Sequence, residues 1–342
     1  MNITRKEKVV LVVSNDGDYS AKLVSDWVSF YCSSIACKVV CFNTSKDTIN
    51  LNEVVINNKR ITYVLNINDG YCEFHSNQIT SIFFRNGLLN LTNSTGARSN
   101  RGMASDVSSR LNNYFMAYEK NVKGLVLNCF DNANKIGRDN GSFINKIFVL
   151  EVAQKNGLNV PSTLLTSKKK QLKAFLRQHK SIITKSMALG LSVYDSEDNS
   201  RYLGLTSEIN VSDLDKIPDK FPLSLFQEQI SKEFELRVFY LNGSFFTSAL
   251  LSQFDENTKI DYRNYNNDKP MRVVPYLLPK WVEKKLSKIM NDLGLETGSF
   301  DLIYSTKKQY YFLEVNPSGQ YGYNSDKCNF YLDREIAKSL VK

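Results

Sequence analysis

The stretch FLEVNPSGQYG, Phe312 to Gly322, decides how the rest of the chain is read. Leu313, Val315 and the run Tyr310 to Phe312 read as a strand bound for the core. Side chains alternate faces along a strand, so Glu314 and Asn316, two residues apart, share one face. Pro317 and Gly319 then end the strand. Upstream, GSFDLIY (Gly298 to Tyr304) reads as the other arm of a hairpin, and a tight turn about Lys307 brings Asp301 near Glu314. Asp, Glu and Asn offer only oxygen donors. Such a set suits a hard cation, and Mg²⁺ is the expected ion, since it takes few protein ligands and completes its shell with water and phosphate oxygens. The plainer alternative is a solvated polar edge.

Working outward, two lysines stand at element ends. Lys146 opens a helix, and Lys185 closes the strand SIITK beside a glycine-containing turn. Either alone reads as an exposed lysine; beside a metal site, each becomes a phosphate contact acting as a point charge. In QEQISKEFELRVF, Gln227, Glu228 and Ile230 lie at the exit of a strand, where backbone groups read the edge of an adenine. Glu233 or Glu235 follows at a spacing suited to ribose hydroxyls, and Arg237 alternates inward with Glu235 to bridge a phosphate.

Composition sets the outer bounds. A chain of 342 residues exceeds what one hydrophobic core serves, so two or three subdomains are expected. There is no run of about 18 apolar residues, and Val9 to Val13 reads as a first strand rather than a signal peptide, so a cytoplasmic protein is expected. The cysteines form no C-x-x-C pair and the two histidines are far apart, which argues against zinc, a disulfide framework or imidazole chemistry. The net charge of +9 is spread along the chain. It suits a nucleoside triphosphate or an acidic peptide as well as a nucleic acid; its one dense run, Ser167 to Phe175, reads as a solvated helix face.

Residues 1–140 alternate strand and helix: KVVLVVS, a helix from Ser20 to Ser33 with a Ser cap, CKVVCF, TSIFFRNG, and a helix from ASDVSSRL onward. The segment Leu88 to Gly102 between the last two reads as a long loop. Residues 141–222 form a second region and 223–342 a third. The third carries a hairpin about Asn242-Gly243, the strongest short hairpin signal, the amphipathic helix PKWVEKKLSKIMNDLGL, the second hairpin and a closing helix DREIAKSL.

This order of features resembles the ATP-grasp fold, an α/β (α+β) architecture. SQFDENTKIDYRNYNNDKPMRVVPYLLP, GSFDLIY and FLEVNPSGQYGYNSDKCNFYLDREIA are similar to the graspetide synthetases, the ligases that macrocyclise ribosomal peptides, and most to those of grasp-with-spasm systems. The resemblance implies an N-terminal pre-ATP-grasp domain (1–140) with central (141–222) and C-terminal (223–342) subdomains clasping ATP. It implies that Asp301, Glu314 and Asn316 hold two Mg²⁺ ions, that Lys146 and Lys185 contact phosphates, and that Gln227, Glu228 and Ile230 line the adenine hinge. Glu235, or else Glu233, binds ribose. Arg237 and Arg263 face the transferring phosphoryl group and the acyl acceptor, with Asp261 of the DYR triplet offered as a base. It implies an ATP-dependent ligase that activates Asp or Glu side chains as acylphosphates and joins them to Ser/Thr hydroxyls or Lys amines. The implied partners are a precursor peptide with a leader and an acidic, hydroxyl-bearing core, a co-encoded radical-SAM SPASM protein, and a second copy of the chain. Where relatives carry two basic residues after an aromatic pair, this chain has Arg85 then Asn86, so Arg85 is left out of the site. Two rivals stand beside this: a ligase adding a free amino acid, and a binding protein without turnover.

Overall fold

A computed structural model of the chain describes residues 7–33, 35–57, 61–68, 72–91, 105–139, 144–187, 192–195, 200–264 and 268–342. It divides into two compact units, Met1–Ser142 with Tyr331–Lys342, and Phe143–Phe330.

The first unit is built on β1 (Lys8–Ser14), whose run Val9 to Val13 is wholly buried. Continuous apolar strands of this kind belong inside parallel sheets, and β1 pairs in parallel with β2 (Cys37–Asn43) and β6 (Ile79–Arg85); β7 (Asn134–Ile136) extends the order to β2-β1-β6-β7. Between β1 and β2 runs α1 (Tyr19–Cys32). Its cap is Asp18, whose carboxylate accepts the Ala21 N–H at 3.0 Å, and not Ser20, which lies inside the first turn. A separate antiparallel sheet of β3 (Ile49–Ile56), β4 (Ile61–Ile67) and β5 (Cys72–His75) has no counterpart in the sequence reading. Helix α2 (Ser105–Asn128) follows; most of the loop expected before it, from residue 92 on, lies outside the described residues.

The second unit opens with α3 (Lys146–Lys155), β8 (Thr163–Lys168), α4 (Lys169–Gln178) and β9 (Ile182–Lys185). The hairpin strands β10 (Ser192–Asp195) and β11 (Ser200–Leu203) come next, then β12 (Ser207–Ile209) and β13 (Lys220–Glu228). Of the glycine turn expected from Met187 to Asp195, residues 188–191 lie outside the described residues, and 192–195 form β10. Four of these strands make an antiparallel sheet ordered β12-β9-β13-β8. A five-stranded antiparallel sheet follows, built from β14 (Lys232–Leu241), β15 (Ser244–Leu250), β16 (Val273–Pro275), β17 (Thr297–Ser305) and β18 (Tyr310–Asn316), in the order β16-β15-β14-β17-β18. Asn242 and Gly243 both take positive φ, the requirement of a two-residue type I′ turn, and Leu241 pairs with Ser244. Helix α5 (Lys280–Leu293) lies between β16 and β17, and α6 (Gly322–Cys328) follows β18.

Alternation sorts the five-stranded sheet into two faces. Leu236, Val238, Phe300, Leu302 and Phe312 join α3 and α5 in one buried cluster. Glu235, Arg237 and Asp301 occupy the alternating positions. Strand β18 breaks the alternation. Leu302 pairs with Phe312 but Asp301 pairs with Glu314, so Leu313 is one residue extra. That bulge corrects the expectation that Leu313 is core. It reverses the parity of the strand so that Phe312 faces the core and Glu314 stands opposite Asp301, a known use of bulges beside functional sites.

The strand then stops. Gly319 N–H donates to the Asn316 C=O at 3.1 Å, closing a turn with Pro317 at its second position. Gly319 has φ +52°, and a Cβ there would meet a Phe239 ring carbon at 3.0 Å. The closing helix α7 (Leu332–Val341) forms as the sequence suggests, but it belongs to the first unit, against α1 and β6, rather than to the third region. Among the described residues no helix is long and apolar enough to cross a membrane.

Gly319→Ala is expected to lower unfolding stability by about 1–3 kcal/mol, from the left-handed backbone and the crowded ring. Urea unfolding measures it; an unchanged midpoint would contradict the turn geometry.

Candidate functional site

The second unit contains a cavity of about 850 Å³, lined from its four-stranded and five-stranded sheets, a size that accommodates a large cofactor or nucleotide. Its floor is the polar face of the five-stranded sheet. Arg237 on β14 pairs in register with Asp301 on β17. One guanidinium nitrogen of Arg237 donates to both carboxylate oxygens, at 2.7 and 2.8 Å, and the other donates to the Gln320 C=O at 3.2 Å. The turn at Pro317 to Gly319 returns the chain to place that carbonyl. Burial pushes the Asp301 carboxyl up; Arg237 opposes this, and the nearby Glu314 charge adds to it.

Glu314 meets the other side of the cavity. Lys146, the first residue of α3, lies 3.1 Å from its carboxylate and also donates to the Ser186 C=O at 3.3 Å. Asn145 caps that helix through the Ile147 and Phe148 N–H groups, which fixes where Lys146 starts. Burial would raise the Glu314 carboxyl, but Lys185 and Lys146 outweigh it and hold it below its usual value. Lys185 ends β9 in register with Leu225, and its ammonium has no hydrogen bond or ion pair among the described residues. Burial holds its ammonium below the ordinary lysine value, although Glu314 draws it up. Asn316 lines the same cavity, its Oδ1 accepting from the Ser318 N–H and hydroxyl. Among the described residues no three His, Cys, Asp or Glu side chains cluster, so the oxygen-donor set is two carboxylates and one carboxamide.

The two candidate ribose carboxylates separate. Glu235 is buried and lines the cavity, held by Lys232 at 2.6 Å and Ser252 at 3.1 Å. Glu233 pairs instead with Lys308 in the hairpin turn and is not part of the lining. In the DYR triplet, Asp261 accepts the Arg263 backbone N–H (3.0 Å), two guanidinium contacts (2.9 and 2.5 Å) and the Thr206 N–H (3.0 Å). Burial would raise its carboxyl, but these bonds hold it at about 2. A carboxylate so saturated has little affinity for a proton at neutral pH. Its bonds make Asp261 an anchor for Arg263, a role the sequence reading, which offered it as a base, did not foresee.

At the far wall, Gln227 is buried, its Nε2 donating to Thr163 Oγ1 at 3.0 Å and its Oε1 without a partner among the described residues. The Glu228 and Gln229 N–H groups bond to Ser162 and Ser181 C=O, while the Ile230 N–H has no partner among the described residues. Among the lining residues that sequence reasoning passed over are His179, Lys232 and Tyr262. Tyr262 was visible inside the quoted triplet. Burial and the charge of Asp301 raise its phenol, so it remains a hydroxyl.

The donor chemistry fits a magnesium nucleotide. Asp301, Glu314 and Asn316 supply hard oxygen ligands. Lys146 and Lys185 supply cations for phosphates, and the orphaned Gln227 Oε1 with the unbonded Ile230 N–H supply the hydrogen-bonding edge for a base.

No family model and no curated protein matches the chain. Solved structures do. An RiPP-associated ATP-grasp ligase of Chryseobacterium gregarium, in complex with ADP and a leader and core peptide, superposes with TM-score 0.71 at 19% identity, covering 97% of this chain and 95% of its own. Macrocyclase MdnC of Microcystis aeruginosa MRC, bound with precursor peptide MdnA, gives 0.70 at 22% identity over 98% of this chain and 99% of its own. The ATP-grasp ligase PsnB, complexed with minimal precursor, Mg and ADP, gives 0.64 at 16% identity over 100% and 98%. The chain therefore has the ATP-grasp fold along nearly its whole length.

Two outcomes test the geometry. Arg237→Gln leaves Asp301 buried without its counter-charge and is expected to cost about 3–5 kcal/mol; denaturant unfolding measures it, and a loss near zero would contradict the clamp. Because the Asp261 carboxyl lies below its unfolded value of 3.8, its stabilisation is complete above that pH and is lost as pH falls through about 2. The stability gap between the native protein and Asp261→Asn should close over that interval in acid unfolding.

Proposed function

We propose that this protein is an ATP-dependent ligase that macrocyclises a ribosomally made precursor peptide. One observation carries the nucleotide part of the reading: Asp301, Glu314 and Asn316 line one cavity with Lys146 and Lys185. The peptide part is supported by the sequence resemblance to graspetide synthetases and by the precursor peptides bound to the structural relatives.

A carboxylate resists attack because its oxygen is a poor leaving group. Transfer of the γ-phosphoryl group of ATP to an Asp or Glu side chain of the peptide gives an acylphosphate and ADP. A Ser or Thr hydroxyl, or a Lys amine, of the same peptide then attacks the acyl carbon, loses its proton and expels phosphate, leaving an ester or amide. These steps depend on positioning and charge neutralisation more than on an enzyme nucleophile. Asp301, Glu314 and Asn316 would hold two Mg²⁺ ions, which would supply charge neutralisation to the phosphates. Lys146 and Lys185 bind the phosphates, and the Lys146–Glu314 pair gives each group a counter-charge until substrate supplies another. Arg263, held by Asp261, faces the acceptor carboxylate, and Arg237 holds Asp301 in place and opposes the effect of burial on its carboxyl. Gln227, Glu228 and Ile230 receive the adenine and Glu235 the ribose. The net charge of +9 favours an acidic core, and a leader segment docked elsewhere raises the core's local concentration. On the same resemblance the protein works as a homodimer, beside a radical-SAM SPASM protein.

The test is incubation with ATP, Mg²⁺ and the short acidic peptide encoded beside its gene, followed by mass spectrometry. Loss of one water per ring, with ADP and phosphate released, is expected; gain of an amino-acid residue mass would overturn the reading in favour of an amino-acid-adding ligase. Glu314→Gln with Asn316→Ala is expected to abolish modification while peptide binding persists. A double variant that still cyclises peptide would remove these residues from the metal site.

A further inference from the structure

We propose that Thr163 sets the nucleobase preference of the cavity by locking the amide of Gln227 in one orientation. This rests on the nucleotide-binding reading above and adds a device to it. Gln227 on β13 stands directly opposite Thr163 on β8 and Ile183 on β9, so its side chain lies beside theirs. It is only 1% exposed, so its amide has no water with which to share bonds.

The hydrogen-bond chain has one consistent direction. Thr163 Oγ1 donates its single proton to the Pro161 C=O at 2.8 Å, a group that only accepts. The hydroxyl oxygen is then left as an acceptor, and the nitrogen of Gln227, not its oxygen, must face it at 3.0 Å. Gln227 Oε1 is thereby turned away from Thr163, and it is the end of the amide without a partner among the described residues. A glutamine free to rotate offers either a donor or an acceptor to a ligand. Held by Thr163, Gln227 offers an acceptor alone.

The neighbouring backbone completes the pattern. The Ile230 N–H, in the same lining, is a donor with no partner among the described residues. An acceptor and a donor together match a purine edge that carries an exocyclic amino group beside an unprotonated ring nitrogen, as adenine does. Guanine presents a carbonyl oxygen and a ring N–H in those places, so both contacts become mismatched. A site built to bond a polar group discriminates strongly against an analogue that leaves its buried groups unpaired.

Titration calorimetry with Mg–ADP and Mg–GDP tests this without any peptide. The native protein is expected to bind ADP at least about tenfold more tightly than GDP. Thr163→Val removes the acceptor that orients the amide and is expected to narrow that ratio by about tenfold, chiefly by improving GDP. Thr163→Ser, which keeps the hydroxyl, should retain the native ratio. Gln227→Met removes the amide and should erase the preference by weakening ADP, which tests independently that this amide reads the base. A ratio unchanged in a folded Thr163→Val protein overturns the inference, as does one unchanged in Gln227→Met or a native protein that binds both nucleotides alike. A native protein that binds neither overturns the nucleotide reading itself.

Discussion

A guanidinium and a carboxylate share the middle of the five-stranded sheet, with little water around either. Taking two charges into such a place is unfavourable unless each is satisfied by the other and by further bonds. Arg237 meets that condition through Asp301 on one side and the Gln320 carbonyl on the other. The requirement reaches outward through the fold. The strand β18 must end at Pro317 so that the chain can double back to Gln320. Gly319 must occupy a backbone conformation that places it against Phe239. Glu314 must face Asp301 rather than the core, and a bulge at Leu313 makes it do so.

Charge is then balanced one residue at a time around the cavity. Asp301 answers Arg237, Glu314 answers Lys146, Glu235 answers Lys232, and Asp261 answers Arg263. The Lys185 ammonium makes no close ion pair among the described residues; it shares the charge of Glu314 with Lys146, and burial already disfavours its own charge. An anion placed beside it is stabilised, and the same anion relieves the cost of keeping the ammonium charged. This is the physical basis for proposing that the cavity takes phosphate.

Much of this was legible in the sequence because the determining signals are local. Asn242-Gly243 marks its hairpin without reference to anything else, and a two-residue spacing puts Glu314 and Asn316 on one face. The ATP-grasp architecture followed from the order of the lysines, the hinge and the late hairpin, and from resemblance. What escaped depends on pairings distant in sequence. The Leu313 bulge exists only relative to β17, and strict alternation from Phe312 would have sent Glu314 into the core. Asp261 reads as a free carboxylate until Thr206, far upstream, is seen to donate to it. Glu233 and Glu235 are equivalent by spacing; Lys308 across the next hairpin separates them. The three strands β3 to β5 carry Asn and Glu among their apolar residues, which blurs their period. The closing helix was found, but nothing in its own sequence says which unit it covers.

The central claim is that the cavity activates a peptide carboxylate by phosphorylation. Isotope transfer tests it most directly. Precursor peptide carrying ¹⁸O in its Asp and Glu side-chain carboxylates is cyclised with unlabelled ATP, and the released phosphate is analysed by mass spectrometry. The account predicts one ¹⁸O in phosphate for each bond formed, because the oxygen that leaves the acyl carbon departs with the phosphoryl group. Phosphate released without label while rings form would contradict it.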